Sequence, residues 1–253
     1  MNKSKSNSIN RRQFLYGAGV GVAMFSILPG CATRGGRRLS QNDKLNVAGI
    51  GIGSRGGADV GEVAGLGENI VALCDVDENY AAKEFAKYPN ARRFTDYRVM
   101  LDKLGKEIDG VVIGTPDHTH AVIAMEAMRR GKHVYCEKPL THTVAEARLI
   151  TKLTAEMKLA TQMGTQNHEH PGYLRLVELL QSGAIGNVSE VHVITDRPGR
   201  WWPQGLDRPT GKPPVPAGFH WDTWLGPADA RDYHAAYAPF KWRGWWDFGC
   251  GAI

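Results

Sequence analysis

A chain of 253 residues with 42% hydrophobic content has room for one large domain or two small ones around an ordinary core, which excludes a disordered polypeptide. Its formal charge of +5 is concentrated at the start, where residues 1–30 hold Lys3, Lys5, Arg11 and Arg12 and no acid, so about +1 remains on the rest. The charge therefore supplies no basic face for nucleic acid.

The first element is a leader. "NRRQFLYGAGVGVAMFSILPGC" joins Arg11 and Arg12 to an apolar stretch from Phe14 to Leu28, the pattern of a twin-arginine export signal over residues 1–30. The stretch falls short of the ~20 residues of a membrane span, and Gly17, Gly19 and Gly21 weaken it as a helix. "LPGC" is similar to a bacterial lipoprotein processing site, which would leave Cys31 as a lipidated N-terminus and anchor the protein to a membrane. The expected location is the periplasm or the envelope surface. Residues 31–43 then form a polar linker.

Residues 44–165 alternate strand and helix. "LNVAGIG" is an apolar run without period-two polarity, as for a strand buried on both faces. It leads into Gly51, Gly53 and Gly56, a G-x-G-x-x-G turn with Ser54 and Arg55 between the glycines. The three glycines suit a tight turn, backbone approach to a pyrophosphate, and close packing of helix on strand. "NIVALC" reads as a second strand ending at Asp75, 24 residues after Gly51, where a carboxylate accepts ribose hydroxyls of NAD and repels the 2′-phosphate of NADP. Arg55 is the one feature pointing towards NADP. Asp77 is the better helix cap before "ENYAAKEF". "VVIG" and "HVYC" are further short parallel strands, and "HAVIAMEAMRR" and "VAEARLITKLTAEM" have helical periodicity. The fold class is α/β, a Rossmann doubly wound parallel sheet. In such sheets ligands bind beyond the carboxyl ends of the strands, where Thr115, Pro116 and His120 fall, and likewise Glu137, Lys138 and Pro139.

Residues 166–253 begin a second domain. Gln166 and Asn167 follow the sixth strand, where they could reach substrate or the nicotinamide carboxamide, and "SEVHVIT" reads as that domain's first strand. All seven tryptophans lie between Trp201 and Trp246. Tryptophan faces stack on sugar rings while nearby charged groups hold hydroxyls, so Arg200, Trp201, Trp245 and Trp246 are candidate substrate residues, whereas Trp221 and Trp224 read as packing residues. Cys74, Cys136 and Cys250 have neither metal nor disulfide spacing and read as small buried residues. The pairs His118/His120 and His168/His170 have no carboxylate set to complete a zinc site, so no metal is expected.

The glycine turn with Asp75, "GTPDHTH", "GKHVYCEKPL" and "WRGWWDFGCGA", in this order, resemble the Gfo/Idh/MocA family, which includes glucose-fructose oxidoreductase and inositol dehydrogenase. The resemblance implies NAD or NADP in the first domain, and a sugar or polyol held by a second α/β domain with an open, mainly antiparallel sheet. It implies Lys138 as the catalytic proton acceptor, Glu137 orienting it, and a cis Lys138–Pro139 bond, which is far less costly before proline than elsewhere. It places Thr115, Pro116 and His120 under the nicotinamide and its ribose, and implies a homo-oligomer. Complete members continue past the glycine-rich stretch at Ile253 and carry an Asp-x-x-x-His pair that residues 166–253 lack, so a C-terminally truncated chain is expected. Two alternatives stay open: an NAD-dependent glycoside hydrolase or lyase acting by transient oxidation, and a non-catalytic nucleotide-binding module.

Overall fold

The computed structural model describes residues 43–251 apart from Asn167 and Glu169. The export signal, Cys31, the linker up to residue 42 and the candidate Asn167 lie outside the described residues. No described helix is long and apolar enough to cross a membrane.

The strands are β1 (Asn46–Ile50), β2 (Asn69–Cys74), β3 (Arg92–Phe94), β4 (Gly110–Ile113), β5 (His133–Glu137) and β6 (Thr161–Gly164). They form one sheet in the order β3-β2-β1-β4-β5-β6, and every pairing is parallel. That is the doubly wound order, with its switch point between β1 and β4. The helices are α1 (Arg55–Gly65), α2 (Ala82–Lys87), α3 (Tyr97–Leu104), α4 (Asp117–Arg129) and α5 (Val144–Met157), followed by α6 (Pro171–Gln181), α7 (Arg197–Arg200) and α8 (Trp221–Leu225).

Alternation along each strand divides the core into two. Ala48, Ile50, Ala72, Cys74, Val111 and Ile113 point to one face, with Met100, Leu101 and the buried side of α4. Their neighbours Val47, Leu73 and Val112 point to the other, with Val60 and Phe85. Successive side chains on a strand face opposite ways, so a strand covered on both faces has to be apolar throughout. Local signals set the helix ends. Thr143 and Glu146 make a reciprocal capping box at the start of α5, and the Asp96 side chain accepts the Arg98 N–H at the start of α3.

The second segment departs from expectation. Ser189–Thr195 forms no strand, because a strand exists only through a pairing partner and no described residue pairs with it. Instead residues 219–248 build an aromatic core of Phe219, Trp221, Trp224, Tyr237, Trp242, Trp245 and Phe248. Trp221 and Trp224 stack at 4.9 Å, and Trp224 meets Phe248 edge-on at 4.8 Å. This core docks on the Rossmann sheet at two places. Beside β2 the His220 N–H donates to the Val76 carbonyl and the Glu78 N–H to the Gly218 carbonyl. At the start of α4 the His118 ring lies between Trp224 and Phe248, and Asp117 accepts the Cys250 N–H at 2.9 Å.

Candidate functional site

The glycine turn is built by close backbone contact. Gly51 has φ +74°, and a Cβ there would lie 2.7 Å from the Thr115 nitrogen. A Cβ on Gly56 would collide with the Gly51 carbonyl, so β1, the first turn of α1 and the end of β4 meet with no room for side chains. At Gly53 the space is taken by the ring of Tyr80, which lies over the turn.

Asp75 follows β2 directly and is buried. Its Oδ2 accepts the N–H groups of Ile52 (2.8 Å) and Gly53 (2.9 Å), and its Oδ1 accepts that of Asp77 (3.0 Å). Burial pushes its pKa up to about 6, opposed by those three hydrogen bonds. A carboxylate has about four lone-pair sites, so one on Oδ1 stays open for a further donor such as a ribose hydroxyl. Asp77 takes the local cap, accepting the Tyr80 N–H at 2.9 Å.

Beside the turn lies a cavity of about 380 Å³, between Gly51, Asp75, Tyr97 and Thr115 on one side and Phe219, Trp224, Trp242 and Arg243 on the other. Three arginines reach it. Arg98 is paired with Asp96, and Arg55 with Asp59 and Glu137. Arg243 has no ion-pair partner among the described residues; its guanidinium stacks at 4.1 Å on Trp242 and 4.5 Å on Phe240, and burial lowers its pKa. The donor set fits a dinucleotide. The start of α1 and Arg243 would take the pyrophosphate, Asp75 the adenosine ribose, and the apolar wall the adenine. Arg243, Tyr80 and Tyr97 carry no sequence signal for this place; Arg243 lies two residues before Trp245, a candidate for substrate, yet lines the cavity that Trp245 does not reach.

At the end of β5, Glu137 and Lys138 are not an ion pair. Glu137 is buried and its Oε1 accepts from Gln166 Nε2 at 2.6 Å and from Arg55 Nε at 3.4 Å, while Oε2 faces the Lys138 backbone N–H at 3.3 Å. Lys138 is exposed and makes no ion pair among the described residues. Neighbouring residues leave a strand on opposite sides, so Glu137 turns in towards α1 and Lys138 turns out. The bond to Pro139 is cis. Arg55 is thus committed to carboxylates, and Gln166 is spent on Glu137.

His120 is buried, with Nδ1 2.7 Å from the Pro139 carbonyl and Nε2 2.7 Å from the Thr115 carbonyl. Its ring ties the two loops together and turns no nitrogen to the cavity. Thr115 accepts the Thr119 hydroxyl hydrogen at 2.8 Å, and Pro116 leads into α4. His118 belongs to the aromatic core; its pKa falls to about 4 by burial, and Nε2 lies 3.1 Å from the Trp224 carbonyl.

The four substrate candidates are not gathered at the cavity. Trp245 is buried, with its indole N–H donating to the Ala236 carbonyl at 2.8 Å, so it is a packing residue like Trp221 and Trp224. Trp246 is 91% exposed, and Trp201 lies at the surface under Arg197. Arg200 is exposed and paired with Asp196. Cys74 and Cys136 are buried as expected; Cys250 is exposed, because it lies where the aromatic core ends. Among the described residues no group of three His, Cys, Asp or Glu side chains could hold a metal ion.

A parallel sheet in doubly wound order, with a glycine turn and a buried acid at the end of β2, defines a dinucleotide-binding Rossmann protein. Residues 45–165 match the family model "Oxidoreductase family, NAD-binding Rossmann fold", and residues 175–253 match "Oxidoreductase family, C-terminal alpha/beta domain". The chain belongs to the Gfo/Idh/MocA oxidoreductase family, and its first domain is an NAD-binding Rossmann domain. It is 34% identical over 155 residues to inositol 2-dehydrogenase 2 of Saccharopolyspora erythraea, covering 59% of this chain and 44% of that one. It is 29% identical over 231 residues to a glycosyl hydrolase family 109 protein of Shewanella pealeana, covering 80% and 49%. The crystal structure of myo-inositol 2-dehydrogenase from Lactobacillus plantarum superposes with a TM-score of 0.53 at 26% identity, over 58% of this chain and 43% of that one. The chain thus spans about half the length of these relatives or less.

Proposed function

We propose that the protein is an NAD-dependent dehydrogenase that interconverts a CH–OH carbon of a polyol or sugar and the corresponding carbonyl. One observation carries the reading: Lys138, with no carboxylate partner among the described residues, stands beyond the end of β5, on the side of the sheet where a doubly wound fold binds its dinucleotide. Bound NAD would supply the hydride acceptor. Lys138 would take the hydroxyl proton as the carbinol C–H bond breaks and the hydride leaves for the bound cofactor, so that the alcohol carbon would become a carbonyl. Glu137, held by Arg55 and Gln166, fixes the backbone that presents Lys138. Asp75 favours NAD over NADP, because its carboxylate repels a 2′-phosphate.

The match to a glycosyl hydrolase family 109 protein runs into the second segment and supports a second reading, glycoside cleavage by transient oxidation. Incubation with NAD and a panel of inositols, sugars and aryl glycosides, followed at 340 nm and by release of the aryl group, separates the two. NADH formation on a polyol or sugar supports the dehydrogenase. Aryl release without net NADH replaces it by the hydrolase, and neither signal with NAD bound leaves only a nucleotide-binding module.

Export by the twin-arginine route with a lipid on Cys31 is part of the proposal, supported by the leader alone. Protein from the host envelope whose N-terminus precedes Cys31 would contradict it. Self-association is proposed too, supported by Tyr173, Leu174, Leu176 and Leu180 exposed on α6. A monomer by light scattering would oppose that.

A further inference from the structure

Asp59 is a buried acid that the hydride-transfer chemistry does not use. It lies one turn along α1 from Arg55 and is 3% exposed. Arg55 Nη2 stands 2.5 Å from its Oδ1, and the same guanidinium reaches Glu137 Oε1 through Nε at 3.4 Å. Neither Asp59 oxygen receives a well-directed hydrogen bond among the described residues. Burial, reinforced by the charge of Glu137, pushes the Asp59 pKa up to about 6. Two buried carboxylates share one guanidinium, so the cluster carries one net negative charge when Asp59 is ionised and none when it is protonated. A buried charge that is not fully compensated is costly, and a neutral residue would hold α1 on the sheet more cheaply.

The position of the charge suggests its use. In a doubly wound sheet the two halves of a dinucleotide lie on either side of the switch point. Asp75, after β2, marks the adenosine half; Glu137, ending β5, marks the other, where the nicotinamide belongs. The oxidised ring carries a positive charge and the reduced ring none. We infer that the Asp59–Arg55–Glu137 cluster selects the redox state of the cofactor, its net negative charge favouring NAD+ over NADH. The inference rests on the NAD reading given above. Asp59 touches neither cofactor nor substrate in this account and acts through Arg55 and Glu137.

Two other groups face the cluster among the described residues, the exposed Glu62 of α1 and Tyr135 of β5, while Lys138 follows Glu137 with its side chain turned away. The Tyr135 hydroxyl is pushed up by burial and stays neutral near pH 7.

The test is the ratio of two dissociation constants on the full chain, calorimetric for NAD+ and fluorimetric for NADH, in the wild type and Asp59→Asn between pH 5 and 7.5. At pH 7.5 the substitution should lower Kd(NADH)/Kd(NAD+) roughly three- to tenfold, the effect of one buried unit charge across a wet crevice. The wild-type ratio should fall similarly as the pH drops through 6, and the Asn curve should stay flatter. Asp75 titrates over the same range but at the adenosine half, so it cancels in the ratio, and every group other than residue 59 is common to both proteins, so the difference between the curves belongs to Asp59. A wild-type ratio constant across this range overturns the inference without needing the variant, as do coincident curves, and in either case NAD binding stands. Failure of both cofactor forms to bind overturns the inference and the NAD reading together.

Discussion

Replacing Lys138 with methionine should lower kcat roughly a hundred- to ten-thousandfold, the range for loss of a general acid or base, while NAD binds as before. Methionine keeps the length and apolar body of the side chain and removes the group that accepts the proton. The side chain is exposed and carries no ion pair among the described residues, so the fold should not register the change. Steady-state kinetics on whichever polyol or sugar turns over, beside an NAD titration of the same preparation, reads both halves of the expectation. Retained turnover would remove Lys138 from its role. Loss of turnover together with NAD binding would make the lysine a cofactor contact rather than a proton acceptor.

Trp224→Ala should cost about 3–5 kcal/mol of stability, as for other large buried aromatics, and weaken NAD binding as well. Trp224 stacks on Trp221, meets Phe248 edge-on, packs against the His118 ring and forms part of the cavity wall. Removing it opens a hole where residues 219–248 dock on α4, and so loosens the wall that carries Trp242 and Arg243. Denaturant unfolding and an NAD titration check the two effects. Wild-type stability in the variant would mean that the aromatic core is not what holds this segment to the sheet.

The parts of the molecule governed by short-range rules are legible in the chain. An apolar run ending in glycine marks β1, because a strand covered on both faces can carry nothing else and the turn at Gly51 needs positive φ. Asp75 is found by its distance from that turn. The pairing of Arg55 with Glu137 is not, since 82 residues separate them and only the docking of α1 over β1 and β4, next to β5 in the sheet, brings them together. The same holds for Trp245 and Trp246, neighbours in sequence of which one is buried and the other exposed, a difference set by the local turn after Lys241–Gly244. "SEVHVIT" has the alternation of a strand, but alternation states a preference that only a partner can realise. Asp59 gave no signal: an acid in the second turn of a helix is ordinarily a solvated one.

Calorimetric titration of NAD and NADP at pH 7.5 and 5 asks whether the crevice at β1, β2 and β4 holds NAD with Asp75 on its ribose. Burial puts the Asp75 pKa at about 6, so the carboxylate is ionised at the higher pH and protonated at the lower. One NAD per chain at pH 7.5, weaker NADP, and NAD affinity falling up to about tenfold per pH unit below 6 is the predicted result. No heat with either nucleotide, or NADP bound more tightly than NAD, would contradict it.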